Sequence, residues 1–382
     1  MQERKLAAWV EAGVIDTETA GRIRAYEAGH ARPLALWAVV GIAALAIGLG
    51  IISVIAANWD AIPAQVRLSI HFALLLAGAV ALFWRGDDLV QRQPWLHEGA
   101  LFVLSLLGMA FFGHVGQVYQ TSSPLWQPLA FWLVLFGPLL LTRGQSWLTA
   151  ALLVAVLAMA GWNFAQGAFS GNWWWRFKPP GPLAIGFATA LPVLLAGPAA
   201  WLRARSDRPA FWRRLEQLSF AYAIGGASLI ALISADNFSD GGDKIAFSTL
   251  FAQALCALAS AGLVALGRPG VSGRATAGLL GLAAAVALVA WQLSGNQVIA
   301  ALLFMALWTG VAAASIYAGW RAVFQLAVAI IAVRLIALSF ELEDDLLSSG
   351  AGLIASGLII LGIAWIAVRV AKRFAPPKEA EG

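Results

Sequence analysis

Charge is scarce in this chain. Only 12% of its 382 residues are Asp, Glu, Lys or Arg, whereas 60% are hydrophobic and mean hydropathy is +0.78. Soluble domains carry about 25% charged residues. The deficit excludes an ordinary soluble globule and points to the membrane class. Cysteine is reduced to Cys256 inside an apolar run. That excludes an intramolecular disulfide and a Cys-based metal site, and a small buried apolar role suffices for the residue. The sequence also lacks G-x-x-x-x-G-K-[ST], G-x-S-x-G, H-E-x-x-H and a G-x-G-x-x-G that follows a strand. ATP-driven transport by this chain alone is therefore not expected. No catalytic residue, metal or cofactor is assigned; catalysis is left open, with the balance against it.

Long apolar runs are what the chain has instead. A bilayer core of about 30 Å needs about 20 apolar residues, and its lack of water forces each run into a helix. Twelve such runs are read: 36–57, 66–84, 98–118, 128–142, 147–166, 183–202, 215–234, 246–266, 275–293, 298–318, 321–340 and 348–370. The weakest breaks lie at Ser294-Gly295-Asn296 and at Gly319. The expected fold is an all-α polytopic membrane protein of about twelve transmembrane helices. Its parts are a cytoplasmic helical segment (1–35), a first membrane half (36–202), a basic loop (203–214), a second half (215–370) and a tail (371–382). No cleavable leader is read, because acids and bases mix from Glu3 to Arg32 and the next run is too long for one.

The net charge is +5 and the pI about 9.7. In a soluble protein this would suggest nucleic acid; here the basic residues flank apolar runs in short loops, so no nucleic-acid partner is expected. With the N-terminus cytoplasmic, all of the 25 Lys/Arg fall on the cytoplasmic side except Arg67, Arg176, Lys178, Lys244 and Arg334. Acids dominate the other side, from Asp60 and Asp236 to Glu341, Glu343, Asp344 and Asp345. The expected location is a bacterial inner membrane with both termini in the cytoplasm. Tryptophans such as Trp84, Trp147 and Trp201 sit near expected helix ends, as an interfacial belt requires. Trp173-Trp174-Trp175 lies in an outer loop and is read as belt or as a headgroup platform.

Two organisational features accompany the runs. In the first 35 residues, Leu6, Trp9 and Val10 share one helical face, Gly13 interrupts, and Asp16 or Thr17 can cap a second helix with Ala20, Ile23 and Tyr26 on one face. This hairpin either docks on the chain's own loops or binds a cytoplasmic partner or the membrane surface. Loose rhymes, such as Ala57-Asn58-Trp59-Asp60 against Ala235-Asp236-Asn237-Phe238, suggest two parallel six-helix halves.

Polar residues in hydrocarbon are functional candidates. His71 lies about 7 Å inside the outer face, at 1.5 Å per residue, and His114 and Arg334 lie at similar depth. Asn58, Asp60, Arg67 and Gln117 share that rim. An outward-facing polar cavity built from Asn58, Asp60, Arg67, His71, His114, Gln117 and Arg334 is the expectation, with His able to serve a proton-linked step. The plainer alternative is an Asp60–Arg67 ion pair and two hydrogen-bonded packing histidines. A zinc site from His71, His114 and Asp60 matches in ligand type only. Glu98, beside His97, is explained by the positive end of its own helix.

Several of these residues recur in a motif order: Gly13-Val14-Ile15, then Asn58-Trp59-Asp60-Ala61-Ile62-Pro63, then Gly116-Gln117-Val118-Tyr119. In this order the chain resembles, over roughly residues 1–165, a family of bacterial predicted membrane proteins classed as a domain of unknown function. The resemblance implies a bacterial inner-membrane protein and a family role for Asn58, Trp59, Asp60, Pro63, Gln117 and Tyr119; it implies no activity. Three function classes stay open: a transporter-like protein taking a small molecule or ion, a non-catalytic envelope or sensory scaffold, and a transferase acting on lipid-linked substrates. The lipid bilayer is the one partner expected in all three, and oligomeric state is not readable.

Overall fold

The computed structural model describes residue 6, residues 9–30, positions 39, 42, 43, 46, 50 and 53, and residues 62–121, 123–169, 181–235, 246–341 and 350–374. Among the described residues all regular structure is helical. The chain divides into two compact units, Met1–Arg67 and Leu68–Gly382.

In the first unit, the helical stretch at 9–11 stops at Gly13, whose φ is +65°. Gly13 N–H donates to Val10 O at 3.0 Å and Val14 N–H to Trp9 O at 2.9 Å. This is a left-handed helix stop, which glycine adopts because it has no Cβ to clash. Helix α1, Thr17–His30, follows. The Asp16 carboxylate accepts the Thr19 N–H at 2.8 Å. The bond to Thr19 holds the Asp16 carboxyl below its ordinary range, and Asp16 is thus the cap foreseen for this helix.

Thirteen further helices follow among the described residues: α2 Ala64–Arg92, α3 Pro94–Tyr119, α4 Trp126–Arg143, α5 Trp147–Phe169, α6 Pro182–Thr189, α7 Leu191–Leu194, α8 Ala196–Arg203, α9 Pro209–Ile233, α10 Phe247–Gly267, α11 Val271–Gln292, α12 Gln297–Ala318, α13 Arg321–Glu341 and α14 Gly350–Phe374. Eight of the described helices are long and apolar enough to cross a membrane, and nine if the bent pair α6 plus α7–α8 counts as one. The chain is a polytopic helical membrane protein. The expected figure of twelve exceeds this count. The run at 36–57 lies largely outside the described residues, and α4 and α14 are not among the eight.

Two expected elements are corrected. Helix α2 does not end at 84; it runs to Arg92, because nothing breaks the pattern before Pro94 and Arg92 pairs with Asp88 one turn back at 2.7 Å. The run at 183–202 is not one helix. It bends by 53° between Thr189 and Leu191. Pro192 carries no N–H for the carbonyl four residues back, so the helical ladder cannot continue there. Conversely, both weak breaks are real ends. Asn296 caps α12 by accepting the Ile299 N–H at 3.0 Å, and Gly319 closes α12 with φ +75°.

Helix α9 organises the second unit. Phe211, Trp212 and Leu215 at its start pack with Trp132 and Leu140 of α4, Leu153 and Val156 of α5, and Ala199 of α8. Phe220, Ile224, Ala227 and Ala231 further along pack with α10, α11 and α12 and with Val193 and Ala196. Helix α9 thus takes part in both cores. Small residues permit the closest approaches, as in membrane bundles generally. A Cβ on Gly186 of α6 would lie 2.3 Å from Thr249 O and 2.7 Å from the Ala252 Cβ on α10. Gly186→Ala is expected to lower unfolding free energy in micelles by about 2 kcal/mol. Gly226→Ala, where the same Cβ meets nothing within 4 Å, should be neutral or stabilising by up to about 1 kcal/mol. Chemical denaturation of the two variants checks this, and equal losses would contradict the packing.

Candidate functional site

Among the outer-rim candidates, His71 on α2 meets His114 on α3. Their Nδ1 atoms are 3.2 Å apart, and His71 Nε2 lies 3.0 Å from Leu107 O. A carbonyl only accepts, so His71 carries its proton on Nε2. In the neutral pair, His71 Nδ1 is then the acceptor and His114 Nδ1 the donor. Phe111 stands edge-on to the His71 ring at 5.3 Å. His114 is buried, as is Arg334 on α13, and Arg67 is half-buried in the first turn of α2. Gln117 and Tyr119 are exposed at the end of α3. There Gly116 O accepts from Gln120 and Thr121, and Gln120, at φ +52°, donates its side-chain amide to Gln117 O at 2.8 Å. The Gly116–Tyr119 motif thus closes a helix. Pro63 lies just before α2, and its carbonyl accepts the Arg67 N–H at 3.1 Å. Asn58, Trp59, Asp60, Trp173–Trp175 and Glu343–Asp345 lie outside the described residues. Among the described residues no three His, Cys, Asp or Glu side chains gather around a common point.

At the opposite ends of these helices lies a polar assembly that sequence reading attributed to simpler causes. The Glu98 carboxylate does not merely face the start of its own helix. It accepts Gln145 N–H at 2.6 Å, Ser146 N–H at 3.0 Å and Thr149 Oγ1–H at 2.9 Å, so it caps the start of α5. The carbonyls that end α4 are met by cations and a ring N–H. Arg208 donates to Leu141 O at 2.6 Å and Gly144 O at 2.8 Å, and His97 Nε2 to Arg143 O at 3.3 Å. Arg214 donates to Gln145 O, and Arg143 pairs with Asp87. Burial pushes the Arg208 guanidinium down from its usual value, and the Glu98 charge pulls it back up.

A second charge cluster lies on α9 and its neighbours. Glu216 is fully buried, and its Oε2 receives Arg268 Nη2 at 2.8 Å and Arg203 Nη1 at 3.4 Å. The Trp320 ring covers Arg268 at 5.4 Å. Burial lowers the Arg268 guanidinium and Glu216 opposes that shift. Removing one member of a buried pair strands the other. Arg268→Met is therefore expected to lower stability by about 3 kcal/mol. Adding Glu216→Leu should restore most of it. Thermal unfolding in micelles checks both, and a harmless Arg268→Met would contradict the pairing.

Between α5, α6–α7, α9, α10 and α11 lies a cavity of about 390 Å³. Its walls are small and apolar: Ala221, Gly225 and Gly226 on α9, Ala254 and Ala257 on α10, and Ala283, Ala284 and Ala287 on α11 are among them. Side chains reach the backbone carbonyls at the bend after Thr189. Tyr222 Oη–H donates to Thr189 O at 2.9 Å and Ser260 Oγ–H to Val193 O at 2.8 Å. The Trp162 side chain lines the same wall as Tyr222. Gln253 Nε2 donates to Thr189 Oγ1 at 2.5 Å. Trp162 reaches this point because Gly161 lets α5 close on α6; a Cβ there would lie 2.3 Å from Ala188 O. Sequence reading missed Trp162, Thr189, Tyr222 and Gln253. The one available signal was Pro192 inside an otherwise unbroken apolar run.

The chain's first part has a known likeness. Residues 7–149 match the family model described as predicted membrane protein (DUF2157). No curated protein and no solved structure matches the chain. The DUF2157 match contains His71, Glu98, His114 and the Gly116–Tyr119 motif. It ends before Trp162, so every residue of the 390 Å³ cavity lies beyond it.

Proposed function

We propose that this protein is a transporter-like membrane protein that holds a small, largely apolar molecule within the bilayer. The observation that carries the reading is the cavity beside the broken crossing α6–α8. Tyr222 and Thr189 meet near the middle of α9, at the depth where transporters with discontinuous helices hold their substrates. A volume of about 390 Å³ lies within the range of small-molecule sites. A solid bundle, which a pure scaffold would favour, has no such space.

The wider topology belongs to the same proposal: about twelve crossings of a bacterial inner membrane, both termini in the cytoplasm, and residues 1–35 presented to a cytoplasmic partner. Convergence supports it. The start of α3, the α4–α5 turn, the α8–α9 loop and the α10–α11 loop were each assigned to the cytoplasm from basic residues, and the side chains of Glu98, Arg208, Arg214, Glu216 and Arg268 tie them into the two adjoining polar clusters. The outward-facing cavity around His71 and His114 stays within the proposal as a second polar locus, supported by their 3.2 Å contact.

The test is chemical. The full chain is extracted with native lipid and bound small molecules are identified by mass spectrometry. Wild type is expected to retain a molecule that Gly226→Phe, which fills the cavity from a position with open space, releases. Identical profiles for the two proteins would refute the reading.

A further inference from the structure

The lining of the cavity restricts what can enter it. None of its lining residues is Asp, Glu, Lys, Arg or His. A charged headgroup inside would have no counter-ion and no water, which hydrocarbon makes costly. Yet the lining is not uniformly apolar, because Trp162, Thr189, Tyr222 and Gln253 gather at one place.

Hydrogen-bond accounting at that place leaves the Gln253 amide incomplete. Thr189 Oγ1–H donates to Ile185 O or Gly186 O, at 3.0 and 3.1 Å. It must therefore accept from Gln253, which fixes the Gln253 amide orientation, with nitrogen toward Thr189. Tyr222 uses its proton on Thr189 O. Gln253 keeps a second N–H and its Oε1, and neither has a protein partner among the described residues. An amide donor and acceptor left open beside an apolar space calls for a ligand group that both accepts and donates.

We propose that the cavity binds a single-chain amphiphile with an uncharged hydroxyl head, the head exchanging hydrogen bonds with Gln253 and the chain lying along the small residues of α9 and α11. This rests on the cavity reading above and goes further by naming the ligand class and the residue that selects it. The hydroxyl supplies an acceptor for the free N–H and a donor for Oε1. The stretch Gly225–Gly226, both exposed, leaves the lateral side open to the bilayer.

The experiment uses the full chain in liposomes with three photoreactive probes of equal chain length: a long-chain alcohol, its trimethylammonium analogue and its sulfate ester. Cross-links are mapped by mass spectrometry. The alcohol is expected to label cavity-lining positions of α9 and α11 saturably, the charged probes at least tenfold less. Gln253→Met should reduce alcohol labelling about tenfold, the loss of about 1.4 kcal/mol for an unmet polar partner. Gly226→Phe should abolish it. Equal labelling by charged probes in wild type, or full alcohol labelling of Gln253→Met with loss in Gly226→Phe, overturns the head-group assignment while the cavity reading stands. Absence of saturable labelling by any probe, or labelling indifferent to Gly226→Phe, overturns both. The wild-type comparison of probes needs no variant to fold.

Discussion

In hydrocarbon a backbone carbonyl that leaves the helical ladder has no water to turn to, and this constraint shapes the second unit. Pro192 interrupts the ladder, the crossing bends by 53°, and at the bend Thr189 O accepts from Tyr222 and Val193 O from Ser260. Those two bonds tie the break to α9 and α10. Gly161 and Gly186 then let α5 and α10 approach the bent segment closely. What stays unfilled between these fixed helices is the cavity, where alanines and glycines of α9, α10 and α11 leave room beside larger residues such as Ile230 and Leu250.

The far ends of the helices obey the same constraint with charge. The turn between α4 and α5 would leave several carbonyls and N–H groups unmet. Glu98 takes the N–H groups, and Arg208, His97 and Arg214 take the carbonyls, so residues from three elements complete one turn. Glu216 with Arg268 and Arg203 holds α9 against the α10–α11 loop in the same way. Glu98 at the start of α5, and Arg203 and Arg268 at the ends of α8 and α10, carry the sign that the macrodipole favours there.

Much of the fold was legible because apolar run length is a direct consequence of bilayer thickness. The helix ends at Asn296, Gly319 and Gly13 were likewise readable, since cap and left-handed positions demand particular residues. The bend was not read, although Pro192 signalled it, because the flanking run is apolar enough to pass as one span. The His71–His114 contact follows from equal depth on adjacent antiparallel helices, a one-dimensional argument that happens to suffice there. The Trp162–Thr189–Tyr222–Gln253 group could not follow from depth alone. It joins four helices from distant parts of the chain, and each residue taken singly looks like an ordinary interfacial or packing side chain.

The central claim is that the space beside the broken crossing is open to lipid-soluble molecules and closed to water. A nitroxide at position 284, in a protein whose Cys256 is replaced by alanine, measures this directly through its collision rates. High accessibility to molecular oxygen, low accessibility to a water-soluble nickel chelate, and more motion than the same label at fully buried Leu280 are expected. A label at 284 as immobile and as shielded from oxygen as the one at 280 would contradict that claim.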